Sequence, residues 1–74
     1  MQIFDLEGHD YVELCDLLKL TGLCGSGGIA KLEIAAGRAR VDGEIELRKR
    51  AKLRAGQMVE YGGEQIRVDR GDME

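Results

Sequence analysis

Between Lys31 and Arg54 the sequence gathers Lys31, Arg38, Arg40, Arg48, Lys49, Arg50, Lys52 and Arg54, eight of its eleven Lys and Arg residues. Ammonium and guanidinium groups collected in this way do one kind of chemistry well: they neutralise a row of phosphates. The same span holds four carboxylates and so carries +4, whereas the remainder, with Lys19, Arg67 and Arg70 against ten acidic residues, carries -7. A chain of formal net charge -3 is thus electrostatically two-faced. That asymmetry points to an anionic partner on one surface, and the overall acidity disfavours loose, sequence-blind coating of DNA.

No other set of residues supports a reaction. Cys15 and Cys24 are nine residues apart in apolar surroundings, without the second pair or nearby His that zinc requires, and read as buried, reduced thiols. His9 stands alone beside Asp10 and reads as a surface or capping residue. No nucleophile has a recognisable partner set, no two carboxylates form an acid/base pair, and no phosphate-cradling loop ends in Lys-Ser/Thr. The expectation is a binding protein, not an enzyme, with no cofactor and no metal.

The elements that must position the cations can be read along the chain. Seventy-four residues form one domain with a small core of Leu, Ile, Val and Ala. The start "MQIFDLEGHD" shows no basic leader or long apolar run, so the expectation is a cytoplasmic monomer without a membrane anchor. "QIFDL" alternates as a short strand, and Asp10 with Glu13 resembles a capping box ahead of a helix that carries Leu14, Leu17 and Leu18 inward and stops at Gly22. Ser26 predicts the N-cap of a second helix, with Ala30 and Ile34 on its inner stripe and Gly37 as its stop. Gly27 and Gly28 in its first turn imply a close approach, either of another helix or of a phosphate.

Further on, "RARV" predicts a strand with Arg38 and Arg40 on one side, and Asp42-Gly43 a hairpin turn. Strict pairing across that turn would set Glu44 beside Val41, which fits poorly with Ile45 and Leu47 as inner positions, so the return strand is expected to be irregular and "LRKRAKLR" a basic loop. Across Gly62-Gly63, Val59 should pair with Ile66 and Tyr61 with Glu64 in a second hairpin. Residues 69–74, "DRGDME", read as a frayed acidic tail. The predicted class is α+β, one domain over residues 1–74: two packed helices, short antiparallel strands and a C-terminal β-hairpin.

The residues "LLKLTGLCGSGGIAK", "IAAGRARVDG" and "RKRAKLRAGQMVEY" together resemble the S-four RNA-binding domain, or alpha-L motif, in its small stand-alone bacterial YbcJ-like branch. The resemblance covers residues 12–68. It implies two helices and a following β-turn that form an L-shaped surface for structured RNA, a module also found in a small-subunit ribosomal protein, in pseudouridine synthases and in tyrosyl-tRNA synthetases. On this pattern Ser26, Ala30, Ile34, Gly37 and the turn Val41, Asp42 and Gly43 are structural. Lys31, Arg38, Arg40, Arg48, Lys49, Arg50 and Lys52 lie on the RNA side, and Arg54 closes the run. Two residues depart from the family: Gly27 follows the helix-opening Ser where many members have Arg, and Asp42 replaces the turn Asn.

The expected partner is therefore structured RNA, ribosomal RNA first and tRNA next, in ribosome assembly or quality control, with backbone phosphate contacts at Ser26, Gly27 and Gly28. Because no aromatic is expected within the basic patch, recognition should follow the shape of paired RNA, not base stacking. Two alternatives belong to other classes. One is a protein-interaction module that uses the patch against an acidic partner. The other is a sulfur carrier of the ubiquitin-like kind, which needs a C-terminal Gly-Gly, whereas the pairs here are internal at 27-28 and 62-63.

Overall fold

The computed structural model describes residues 1–71. Its strands are β1 (Gln2–Asp5), β2 (Val12–Glu13), β3 (Ala39–Val41), β4 (Glu44–Ile45), β5 (Lys52–Leu53), β6 (Met58–Tyr61) and β7 (Glu64–Asp69), with helices α1 (Leu14–Leu20) and α2 (Gly27–Ala35) between β2 and β3. The strands make a five-stranded sheet in the order β1-β7-β6-β3-β4 and a separate two-stranded sheet of β2 with β5.

The core is built as the apolar pattern requires. Leu14, Leu17 and Leu18 of α1 and Ala30 and Ile34 of α2 are fully buried against Ala39, Val59, Ile66 and Val68 on the inner face of the large sheet. Cys15 and Cys24 are buried free thiols within the same cluster. Ser26 caps α2, its hydroxyl accepting from the Ile29 amide at 3.2 Å. Gly22 and Gly37 follow the two helices with φ of +82° and +79°, the left-handed geometry that closes a helix. The predicted hairpin is present in register, Val59 opposite Ile66 and Tyr61 opposite Glu64. Its Gly62-Gly63 turn joins β6 to β7, so the pair serves as a turn and not as a terminal reactive group.

Four expectations need correction. Asp10 does not cap α1: the helix begins at Leu14 after an extended Glu13 that makes no side-chain cap, and Val12–Glu13 pairs with β5 instead. The capping role passes to backbone carbonyls, because Leu14 and Cys15 donate to Ala51 and Lys49, both at 3.0 Å. The return strand after Asp42-Gly43 is regular for two residues, Val41 opposite Glu44 and Arg40 opposite Ile45, which leaves Ile45 53% exposed. Sheet register thus overrides its hydrophobicity. Close packing does not explain Gly27 and Gly28 either, since a Cβ on them would meet only Lys19 Cδ at 3.9 Å and Ser26 Oγ at 3.8 Å.

The fourth correction concerns the ends of the chain. β1 pairs in parallel with β7, Phe4 opposite Val68 and Asp5 opposite Asp69, so the stretch read as a frayed tail begins as sheet. Leu6 and Gly8 extend the contact by donating to the carbonyls of Asp69 and Arg70, and Gly71 is buried. The remainder of the expected tail, residues 72–74, lies outside the described residues.

Two stability outcomes follow from this packing. Ala30→Glu places an unpaired charge at a site of 0% exposure and should lower Tm by roughly 10–20 °C in a thermal melt; an unchanged Tm would remove that helix face from the core. Gly43 has φ of +87° with nothing within 4 Å of an added Cβ, so Gly43→Ala tests backbone strain alone. It should cost about 1 kcal/mol by chemical denaturation.

Candidate functional site

The basic segment is stitched to the core at both of its ends. At its start, Glu46 donates its amide to the Ala39 carbonyl at 3.0 Å, and Ile45 and Leu47 lie beside Gly37 at the exit of α2. Arg38, which follows Gly37, and Arg48, which follows Leu47, therefore share one corner of the fold. From there the Lys49 and Ala51 carbonyls cap α1, and β5 runs antiparallel to β2 with buried Leu53 opposite Val12. Alternation turns Lys52 and Arg54 outward, both exposed.

The eight predicted cations do not all have the same freedom. Arg48 is held by Glu46, its Nε and Nη2 donating to the two carboxylate oxygens at 2.9 and 3.2 Å and its amide to Oε2 at 3.0 Å. These bonds keep the Glu46 carboxyl below its usual range and raise the Arg48 guanidinium. Arg38 lies 3.7 Å from Glu33. Arg40 projects from the sheet face away from the helices, between buried Ala39 and half-buried Val41, opposite Glu60 on β6, and reaches the Gly43 carbonyl at 3.4 Å. Arg38 and Arg40 line one shallow cleft together with Glu60 and Glu64. Lys31 on α2 is half-buried. Among the described residues, Lys31, Arg40, Lys49, Arg50, Lys52 and Arg54 form no ion pair.

Two further placements bear on the predicted site. Ser26, Gly27 and Gly28 open α2 with the Lys19 side chain alongside, so Lys19 is near predicted site residues although it is outside the basic segment. Asp42, the departure at the turn, uses both oxygens: Oδ1 accepts from the Met58 amide at 2.9 Å and Oδ2 from Gln57 Nε2 at 3.2 Å.

Tyr11 was not foreseen in the patch. The ring lies 5.0 Å from Lys52 Nζ and 5.6 Å from Arg54 Cζ, so the expectation of a basic surface without an aromatic is wrong. The cause is the β2–β5 pairing: a sequence read as running into α1 in fact extends along the basic strand, bringing Tyr11 level with Arg54. The other tyrosine is structural. Tyr61 turns inward and donates to Glu33 Oε1 at 2.9 Å, and hydrogen bonding to the Cys24 thiol and to Glu33 pushes its phenol well above the ordinary value.

Among the described residues, no group of three or more His, Cys, Asp or Glu side chains could hold a metal ion, and no helix is long and apolar enough to cross a membrane. A family model described as the S4 domain matches residues 4–69. A protein of Escherichia coli (strain K12) named as a putative RNA-binding protein, YbcJ, is 52% identical over 68 residues, covering 92% of this chain and 97% of the relative. The Shigella flexneri protein YbcJ, named as uncharacterized, matches to the same extent. The solution structure of YbcJ from E. coli, described as revealing an alpha-L motif involved in RNA-binding, superposes with a TM-score of 0.72 at 51% identity, covering 93% of this chain and 87% of that one. The α+β fold implied by the sequence resemblance is the fold observed, and the chain belongs to the S4 domain family.

Proposed function

We propose that this protein binds structured RNA, ribosomal RNA first and tRNA next, and acts in ribosome assembly or quality control. The observation that carries this reading is that Arg40, Lys49, Arg50, Lys52 and Arg54 are exposed and form no ion pair among the described residues. Five free cations on a folded acidic protein need an anionic partner of comparable extent, and a phosphate backbone supplies one. Lys31 on α2 and Arg38 in the link from α2 to β3 flank the surface, Arg48 joins it where RNA competes with Glu46, and the N–H groups at Ser26, Gly27 and Gly28 offer further phosphate contacts. Membership of the S4 family and the RNA-binding relatives support the same partner. The function is binding, without catalysis or a cofactor.

Titration of structured ribosomal RNA fragments at several salt concentrations tests this reading. About five phosphate contacts give a log-log salt slope near -4 to -5, and each single removal should reduce its magnitude by about 1. Arg40→Ala and Lys49→Ala should both weaken binding and flatten the slope. Arg67→Ala is the control: Arg67 stands between Ile3 and Met58 on the outer sheet face, two strands or roughly 10 Å from Arg40, where salt screens it. Equal losses in all three would mean nonspecific attraction. Unchanged affinity in the first two would leave the segment a solvated face, and tighter binding of an acidic protein would favour the interaction-module reading.

A further inference from the structure

Within the RNA-binding reading, on which this inference rests, we propose that Tyr11, Lys52 and Arg54 form a seat for a single unpaired nucleotide. The base stacks on the Tyr11 ring, and Lys52 and Arg54 hold its flanking phosphates. The partner is then a helical RNA that carries an extrahelical nucleotide, such as a bulge, beside the paired region.

Three observations converge on this seat. The β2–β5 register sets Leu53, 1% exposed, and core-packed Val12 on the inner side, which leaves Tyr11, Glu13, Lys52 and Arg54 on the outer side. Lys52 and Arg54 lie within cation–π distance of the Tyr11 ring, at 5.0 and 5.6 Å, and neither forms an ion pair among the described residues. Tyr11 nevertheless stays 38% exposed, so the residue is accessible to a ligand. A partly exposed aromatic residue with two cations over its ring, neither in an ion pair among the described residues, is complementary to one nucleotide: its phosphates draw the cations off and its base takes their place on the ring.

The seat is also held in place. The Arg54 amide donates to Gln57 Oε1 at 2.8 Å, and Gln57 in turn donates to Asp42 in the β3–β4 turn. Directly after β2, the Leu14 amide donates to the Ala51 carbonyl, next to Lys52. Bases inside a duplex are already stacked on their neighbours and cannot reach the ring. Only an unpaired one can, and this gives the seat a selectivity that phosphate contacts alone lack.

The test compares two RNA hairpins identical except for one bulged 2-aminopurine in the stem of the first. The parent protein should bind the bulged hairpin about five- to tenfold more tightly, the low end of what one stacked base contributes, and should quench the 2-aminopurine fluorescence. Tyr11→Phe should retain both effects. Tyr11→Leu keeps an apolar side chain beside the cation stems and should lose both the preference and the quenching. Equal affinity of the parent for both hairpins, or a preference that survives Tyr11→Leu, would overturn this inference and leave the RNA reading standing. Binding to neither hairpin nor to ribosomal RNA fragments would remove both.

Discussion

The first turn of α1 is capped by the carbonyls of Lys49 and Ala51, so the segment that carries the positive charge also completes the helix on which the core is built. A helix of seven residues has no stability of its own in water, because nucleation costs more than so few hydrogen bonds return. It persists through the burial of Leu14, Leu17 and Leu18 and through satisfaction of its first N–H groups. Those bonds run in both directions of dependence. Ala51 and Leu53 are buried among the cations that neighbour them, so the backbone that carries Lys49, Arg50, Lys52 and Arg54 is anchored relative to α1 while their side chains stay exposed. A surface that must match phosphate spacing gains from such anchoring, since less loop entropy remains to be lost on contact.

Much of this arrangement was legible in the sequence wherever a local signal was strong. Ser26 and Gly37 mark the ends of α2, Leu14, Leu17 and Leu18 fall on one helical face, and two glycines between alternating residues specify the β6–β7 hairpin. The unreadable parts are the long-range pairings. β1 joins β7 in parallel from opposite ends of the chain, and no turn links them to leave a mark. β2 and β5 have two residues each, too few to show a period of two, and the leucine spacing that follows Val12 extends a helical pattern backward over it. Missing that pairing hid both the cap of α1 and the place of Tyr11. The charge segregation was visible as a count, whereas its internal pairing was not: the Arg48–Glu46 and Arg38–Glu33 contacts depend on side-chain geometry that spacing does not encode.

Those two contacts define the electrostatic cost of binding. Arg48 already has a bidentate carboxylate, so a phosphate there must displace Glu46 and regains only the difference between two charge-assisted hydrogen bonds. Arg38 shares Glu33 with the Tyr61 hydroxyl, which ties it to the sheet. Lys49, Arg50, Lys52 and Arg54 form no ion pair among the described residues, and as like charges they repel one another. Release of that repulsion by an anionic ligand adds to affinity.

Asp42 shows how a departure from the family pattern can be accommodated by the same framework. The position has φ of +52°, a left-handed conformation that Asn tolerates well and Asp somewhat less. In return, the carboxylate offers two acceptor oxygens, and both are used, by the Met58 amide and by Gln57. Gln57 holds the Arg54 amide through its carbonyl oxygen, so the turn, the start of β6 and the end of the basic strand are joined by one hydrogen-bonded chain. The negative charge that Asp42 adds is committed to these donors and does not stand free before a phosphate. A substitution that would be adverse if its carboxylate pointed at RNA instead fixes the backbone of Arg54, and with it one edge of the positively charged surface.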